Sequence, residues 1–275
     1  TEHTAIGHGA LAGNTTGNFN SALGNGALNI NTTGSNNVAI GNASLALNTT
    51  ASNNTAVGYQ ALYSNTTGQL NTAIGYHALR ANSADTYCTA LGARTLTSNT
   101  IGSENVAAGE LSLYSNTTGG FNTAYGNRSL PLTTTASNNT AVGYQAGYTN
   151  TTGANNTAVG SAFGATRGVL QDNTTGGSNT AMGVAALSAN TTANDNTAVG
   201  YQALTANTTG SSNVATGHSA MLANTTGSNN TFLGTGNSFD ISSNEQIDII
   251  SAQNILIDPS GVLDITARTY QDLSY

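Results

Sequence analysis

The chain has 275 residues and a formal charge of −7, and only 6% of it is charged, against roughly 25% in an average soluble domain. All five of its basic residues are Arg, so it lacks the basic stripe with which a nucleic-acid binder displaces counterions from phosphate. No apolar run approaches the roughly 20 residues of a membrane span, and a single Cys supplies neither an internal disulfide nor a zinc set. Signal peptide and initiator Met are both missing from the sequence, which reads as a processed or partial chain. With only two Pro and so little charge, the composition does not have the character of a disordered chain.

A repeat decides the architecture. The pattern Asn-Thr-Ala-(apolar)-Gly recurs with closing glycines from Gly7, Gly24, Gly41 and Gly58 to Gly160 in steps of 17 residues. One step of 23 leads to Gly183, after which 17 resumes through Gly200, Gly217 and Gly234, making fourteen copies with one six-residue insertion. A second motif, Asn-Thr-Thr-Gly, follows each glycine, as in Asn65-Thr66-Thr67-Gly68, with degenerate copies at Asn82-Ser83-Ala84-Asp85 and Thr133-Thr134-Thr135-Ala136. This period is too short for helical-hairpin repeats, which need about 33 residues. It predicts an all-β fold, a parallel β-solenoid of about 14 coils of 17 residues over 1–234, each coil reading strand–turn–strand–turn.

Within a coil, Thr55 and Val57 share one strand face and Ala56 takes the other. The Leu column (Leu11, Leu28, Leu45, Leu62 and on) and the Val/Ile column are expected to fill a narrow core. Two readings of the near-invariant Ala column stand: a flat surface on which subunits dock, or a lining of the coil interior. The Asn columns predict ladders in which each amide donates to the next. Cys88 replaces one rung and reads as a small filling residue rather than a reactive thiol. Stacked at the spacing of neighbouring strands, the coils make a rod on the order of 65 Å long. So thin a core needs another staple, and oligomerisation is the one that remains.

The insertion, placed at 164–172, must leave the roll as a loop because the phase returns at Asn173. Loops on rigid scaffolds often carry recognition; neutral decoration is the other reading. After Gly234 the period stops, and Phe239-Asp240-Ile241, Ile247-Asp248-Ile249-Ile250, Ile255-Leu256-Ile257-Asp258 and Val262-Leu263-Asp264-Ile265 alternate Ile with Asp. Three chains wrapped together would bury the Ile rows, so 235–275 is expected to form an intertwined β shaft or prism.

The repeated Asn54-Thr55-Ala56-Val57-Gly58-Tyr59-Gln60-Ala61-Leu62, spaced by Asn-Thr-Thr-Gly, resembles the repeat of bacteriophage tail-fibre proteins. It is also similar to the head repeat of YadA-type trimeric autotransporter adhesins, although that repeat is typically shorter than this one. The likeness covers 3–234. It implies a left-handed β-roll in a homotrimer on a virion tail fibre or at the cell surface, acting in host attachment beside other fibre or tail proteins. On that reading the chain is a structural fibre or adhesin segment, not an enzyme, without cofactor, nucleic-acid partner or membrane insertion.

Candidate contacts for a host glycan lie outside the Leu column. Tyr59 and Tyr76 occupy one position on adjacent coils, and Tyr144 and Tyr201 recur there; such a ladder packs on itself or holds sugar rings. His77, Arg94 and Arg128 share the next position, with Glu110 beside them, forming either a solvated rim or an anionic-glycan contact, and Arg167 sits in the insertion. Chemistry is harder to assemble. Glu104 and Glu110 are about 20 Å apart on an extended chain, too far for a glycosidase pair. His3, His8, His77 and His218 have no i, i+4 partner for a metal. No catalytic residue is assigned, and a polysaccharide depolymerase is the weaker reading. Ice binding is weaker too, because adjacent Thr on a strand face opposite ways.

Overall fold

The computed structural model describes residues 2–162 and 166–235 and the backbone of residues 246 and 247. No helix occurs among them. One short strand forms per repeat, from β1 (Thr4–Ile6) and β4 (Thr55–Val57) through β10 (Thr157–Val159) and β11 (Thr180–Met182) to β14 (Asn230–Leu233), followed by β15 (Gln246–Ile247). All lie in one parallel sheet whose spatial order is the chain order. The first fourteen strands bound thirteen turns of a parallel β-solenoid. Register is strict: Thr55 pairs with Thr72, Ala56 with Ala73 and Val57 with Ile74. The insertion does not disturb it, since Thr157 pairs with Thr180 and Ala158 with Ala181. Apart from Thr235 and the backbone of β15, the 235–275 shaft lies outside the described residues; β15 runs beside β14 with Ile247 opposite Thr231.

The structure resolves the Ala column and corrects the Val/Ile column. From Ala22 to Ala215 this column, Ala39, Ala56 and Ala73 included, is at most 2% exposed, lining the interior rather than a docking surface; Ala5 in the first coil is exposed. The Val/Ile column is outside: Ile40, Ile74, Leu91, Val142 and Met182 are 38–43% exposed. Sheet alternation forces the opposition, because neighbours along a strand point to opposite faces. The interior beside the strand is already filled by the inner Leu residues (Leu45, Leu62, Leu79) and a second small column (Ser44, Ala61, Ala78), all fully buried. Space there admits a methyl group and little more, so the larger apolar side chain faces outward.

The expected second strand of each coil is also absent. After Gly58 the chain turns through Gln60 (φ 51°) and Leu62 (φ 51°), and again at Leu70 (φ 59°), and these left-handed positions recur coil after coil. Their backbone groups still find partners on neighbouring coils. Gln60 N–H donates to Asn42 O at 3.0 Å, Leu62 N–H to Ala78 O at 3.0 Å, and Thr66 N–H to Ser83 O at 3.0 Å. The glycine closing each motif is obligatory. Gly58 has φ +130°, and a Cβ there would lie 2.5 Å from Gly75 O, a conformation and a gap open only to glycine.

Two interior Asn ladders run along the axis as the sequence predicts. In the first, Asn54 N–H donates to Asn37 Oδ1 at 3.0 Å and Asn54 Nδ2 to Gly68 O at 2.9 Å. In the second, Asn48 Nδ2 donates to Asn31 Oδ1 at 2.7 Å and to Ala51 O at 3.0 Å. These rungs satisfy amides and corner carbonyls that would otherwise be stranded in a dry interior.

Candidate functional site

The corner that follows the glycine column gathers most of the chain's distinctive side chains. Two consecutive residues there turn inward, as Ala61 and Leu62 do, so the residues on either side face out: Tyr59, Gln60 and Tyr63 in one coil, Tyr76, His77 and Arg80 in the next. Stacking makes these into columns. Arg80, Arg94 and Arg128 belong to this corner, and Arg167 lies in the insertion that leaves from it, so every Arg of the described residues is here.

The densest part spans three coils. Tyr59 and Tyr76 stack with ring centroids 5.6 Å apart and planes 13° apart. The His77 ring lies 3.8 Å from that of Tyr76 and 5.5 Å from that of Tyr59. Arg94 places its guanidinium 5.9 Å from the Tyr76 centroid, and Arg80 stands 5.7 Å from that of Tyr63, both within cation–π range. Gln60 fixes Arg80 by accepting from its Nε at 2.9 Å. Burial holds the His77 pKa below its usual value, reinforced by Arg80 and then Arg94, which favours a neutral ring.

The other candidates are spread along the same corner. Arg128 lines a cleft of about 270 Å3 with Leu111, Tyr114, Pro131, Leu132 and Tyr148. Asn127 Nδ2 donates to Glu110 at 3.2 Å. Tyr201 stacks on His218 at 5.1 Å, while Tyr144 has Asn127 and Ser161 as its neighbours in the column. Neither tyrosine joins the Tyr59–Tyr76 group. In the insertion Arg167 forms an ion pair with Asp172, and Val169 and Leu170 are buried in the columns of Ala61 and Leu62.

Sequence reasoning missed the column that follows the inward pair, Tyr63, Arg80, Tyr114 and Tyr148. Strict alternation cannot reveal it, because two successive inward residues precede it. It also missed an interior cluster. Asp85 stands where other coils have Gly or Ala, is 3% exposed, and accepts a hydrogen bond from Asn99 Nδ2. Burial raises its pKa to about 7 against the lowering effect of a backbone hydrogen bond and of Cys88. The carboxyl displaces a rung of the Asn ladder: both amide atoms of Asn82, together with Asn65 Oδ1 and Asp85 Oδ1, are buried without a hydrogen-bond partner. Cys88 copies the amide it replaces, its N–H donating to Asn71 Oδ1 at 2.9 Å and its thiol to Gly102 O at 3.3 Å. Burial, then the Asp85 charge, pushes that thiol up to about 12. Among the described residues no group of three or more His, Cys, Asp or Glu is placed to hold a metal ion.

Compared with known proteins, the chain matches no family model, no curated protein and no solved structure.

Proposed function

We propose that this chain is a rigid segment of an attachment fibre, carried on a virion tail or a cell surface, in which three copies of a left-handed β-roll run side by side. Its role is mechanical and adhesive rather than catalytic, and its partners are further copies of itself, adjoining fibre or tail proteins, and a host surface glycan or receptor.

The outward Val/Ile column carries this reading. Fourteen rungs from Ile6 to Leu233 contain no charged residue, and neither does the Thr column beside them from Thr4 to Thr231. At the exposures given above, these side chains leave on the order of 1,000 Å2 of mostly apolar surface in one straight strip, more than the ~800 Å2 each partner buries in a stable complex. A monomeric soluble protein rarely shows so large a contiguous patch. Left bare, such an apolar strip is also an aggregation liability, and closed association with identical strips removes it.

The test is the mass of the full chain in solution. Light scattering is expected to give three times the 27.5 kDa chain mass, and Ile74→Glu with Val142→Glu to lower it while the circular dichroism spectrum is kept. A wild-type monomer at tens of micromolar, or a trimer indifferent to the double substitution, overturns the reading.

A further inference from the structure

We infer that the Tyr–Arg corner, from the coil of Tyr59 to the coil of Tyr148, binds a carboxylated sugar chain running along the solenoid axis. This rests on the attachment reading and adds to it the ligand class and the face that meets it.

Charge is the first support. The chain carries −7 overall, yet this corner holds all the described arginines, and its carboxylates are Glu110 and Asp172. Asp172 is taken by Arg167. Arg80, Arg94 and Arg128 have no carboxylate within ion-pair distance among the described residues. Such uncompensated guanidinium groups are placed to donate a planar bidentate pair of hydrogen bonds to a carboxylate.

Shape is the second. Tyr59 and Tyr76, each 45% exposed, stack closely enough to hold each other in place. Stacked face to face, with His77 against Tyr76, the two rings present apolar edges and phenol hydroxyls that are already ordered before any ligand arrives, which lowers the entropic cost of binding. Ordered aromatic side chains beside a few placed polar groups suit sugar rings, which have apolar C–H faces and polar edges.

Spacing is the third. Arg94 and Arg128 occupy the same column two coils apart, about 9.6 Å at the strand spacing and roughly the length of two extended sugar rings. An acidic chain with a carboxylate on each ring, or on every second one, would meet both arginines in step. The cleft beside Arg128, walled by Leu111, Pro131 and Tyr148, continues the same track.

The experiment measures binding of the full chain to oligogalacturonate, oligosialate, a neutral β-linked gluco-oligosaccharide and polyphosphate, with solution mass recorded for each variant. One of the two carboxylated sugars is expected to bind, and the gluco-oligosaccharide is not. Arg94→Gln with Arg128→Gln is expected to weaken binding tenfold or more, as is Tyr59→Ala with Tyr76→Ala, with the mass unchanged. No binding to either carboxylated sugar by an assembled wild type overturns the inference and leaves the fibre reading standing. So does binding that neither double variant alters. Polyphosphate binding that matches the sugars and survives loss of both tyrosines reduces the corner to unspecific polyanion attraction and overturns it as well. A monomeric wild type counts against the fibre reading instead, and the binding data are then judged alone.

Discussion

Asp85 shows how one residue can set a pH dependence for an otherwise nearly uncharged rod. Its carboxyl occupies a slot built for a glycine, and burial raises its pKa from 3.8 to about 7. The folded chain therefore holds this proton more tightly than the unfolded chain does. Stability from this group is fully present below about pH 4, falls as pH rises through the window up to about 7, and is level above it. Asp85→Asn removes the titration. Urea unfolding is expected to find the variant more stable than the parent at pH 8, by on the order of 4 kcal/mol, and the two nearly equal at pH 4. Equal stabilities at pH 8 would show that the carboxyl is solvated. Asn82, with neither amide atom partnered, marks the same defect from the other side.

At the scale of one coil, the left-handed positions dominate. A side chain there costs roughly 1–2 kcal/mol relative to right-handed backbone, yet Leu62, Leu79 and Leu96 all adopt it while fully buried. The coil holds because the next coil receives its N–H groups and its leucine. Two glycines separate conformation from contact. At Gly26, φ is +63° and nothing lies within 4 Å of an added Cβ, so Gly26→Ala is expected to cost about 1 kcal/mol. At Gly58 the Cβ meets a carbonyl, and Gly58→Ala is expected to cost about 3 kcal/mol or more, read as faster amide exchange confined to the coils of Gly58 and Gly75. Equal exchange in the two variants would remove the close-approach argument. The glycine, leucine and Asn columns were legible in the sequence because each needs one residue type at one place. The outward Ile was not, since alternation places Ala56 and Val57 on opposite faces without saying which faces in. Interior volume decides that, and it is set by leucines a turn away. Of the candidate site, Tyr59, Tyr76, His77 and Arg94 could be found by stacking the repeat. Tyr63 and Arg80 lay hidden behind two successive inward residues.

For the molecule as a whole, cross-coil bonding governs access to the backbone. Arg94 N–H donates to Tyr76 O at 2.7 Å and Arg128 N–H to Glu110 O at 2.9 Å, so a protease must peel coils apart to reach either peptide. Arg167, with its side chain 52% exposed, lies in the insertion. Limited trypsin is expected to cut after Arg167 before it cuts at Arg80, Arg94 or Arg128, leaving a nicked particle whose halves stay joined through β10 and β11. Early cleavage at Arg80 or Arg94 would mean that the stack opens readily.

The pairing of one strand with its nearly identical successor has a cost in addressing. A chain that skipped a coil while winding would still set Thr over Thr and Ala over Ala, so most of the rod cannot tell a correct winding from one displaced by a rung. Only the irregular rungs break that degeneracy: the Asp85–Cys88 interruption, Thr133 in place of an Asn, and the six extra residues before Val169. The insertion is the strongest of these index marks, since a winding displaced across it would force the six extra residues into a closed turn.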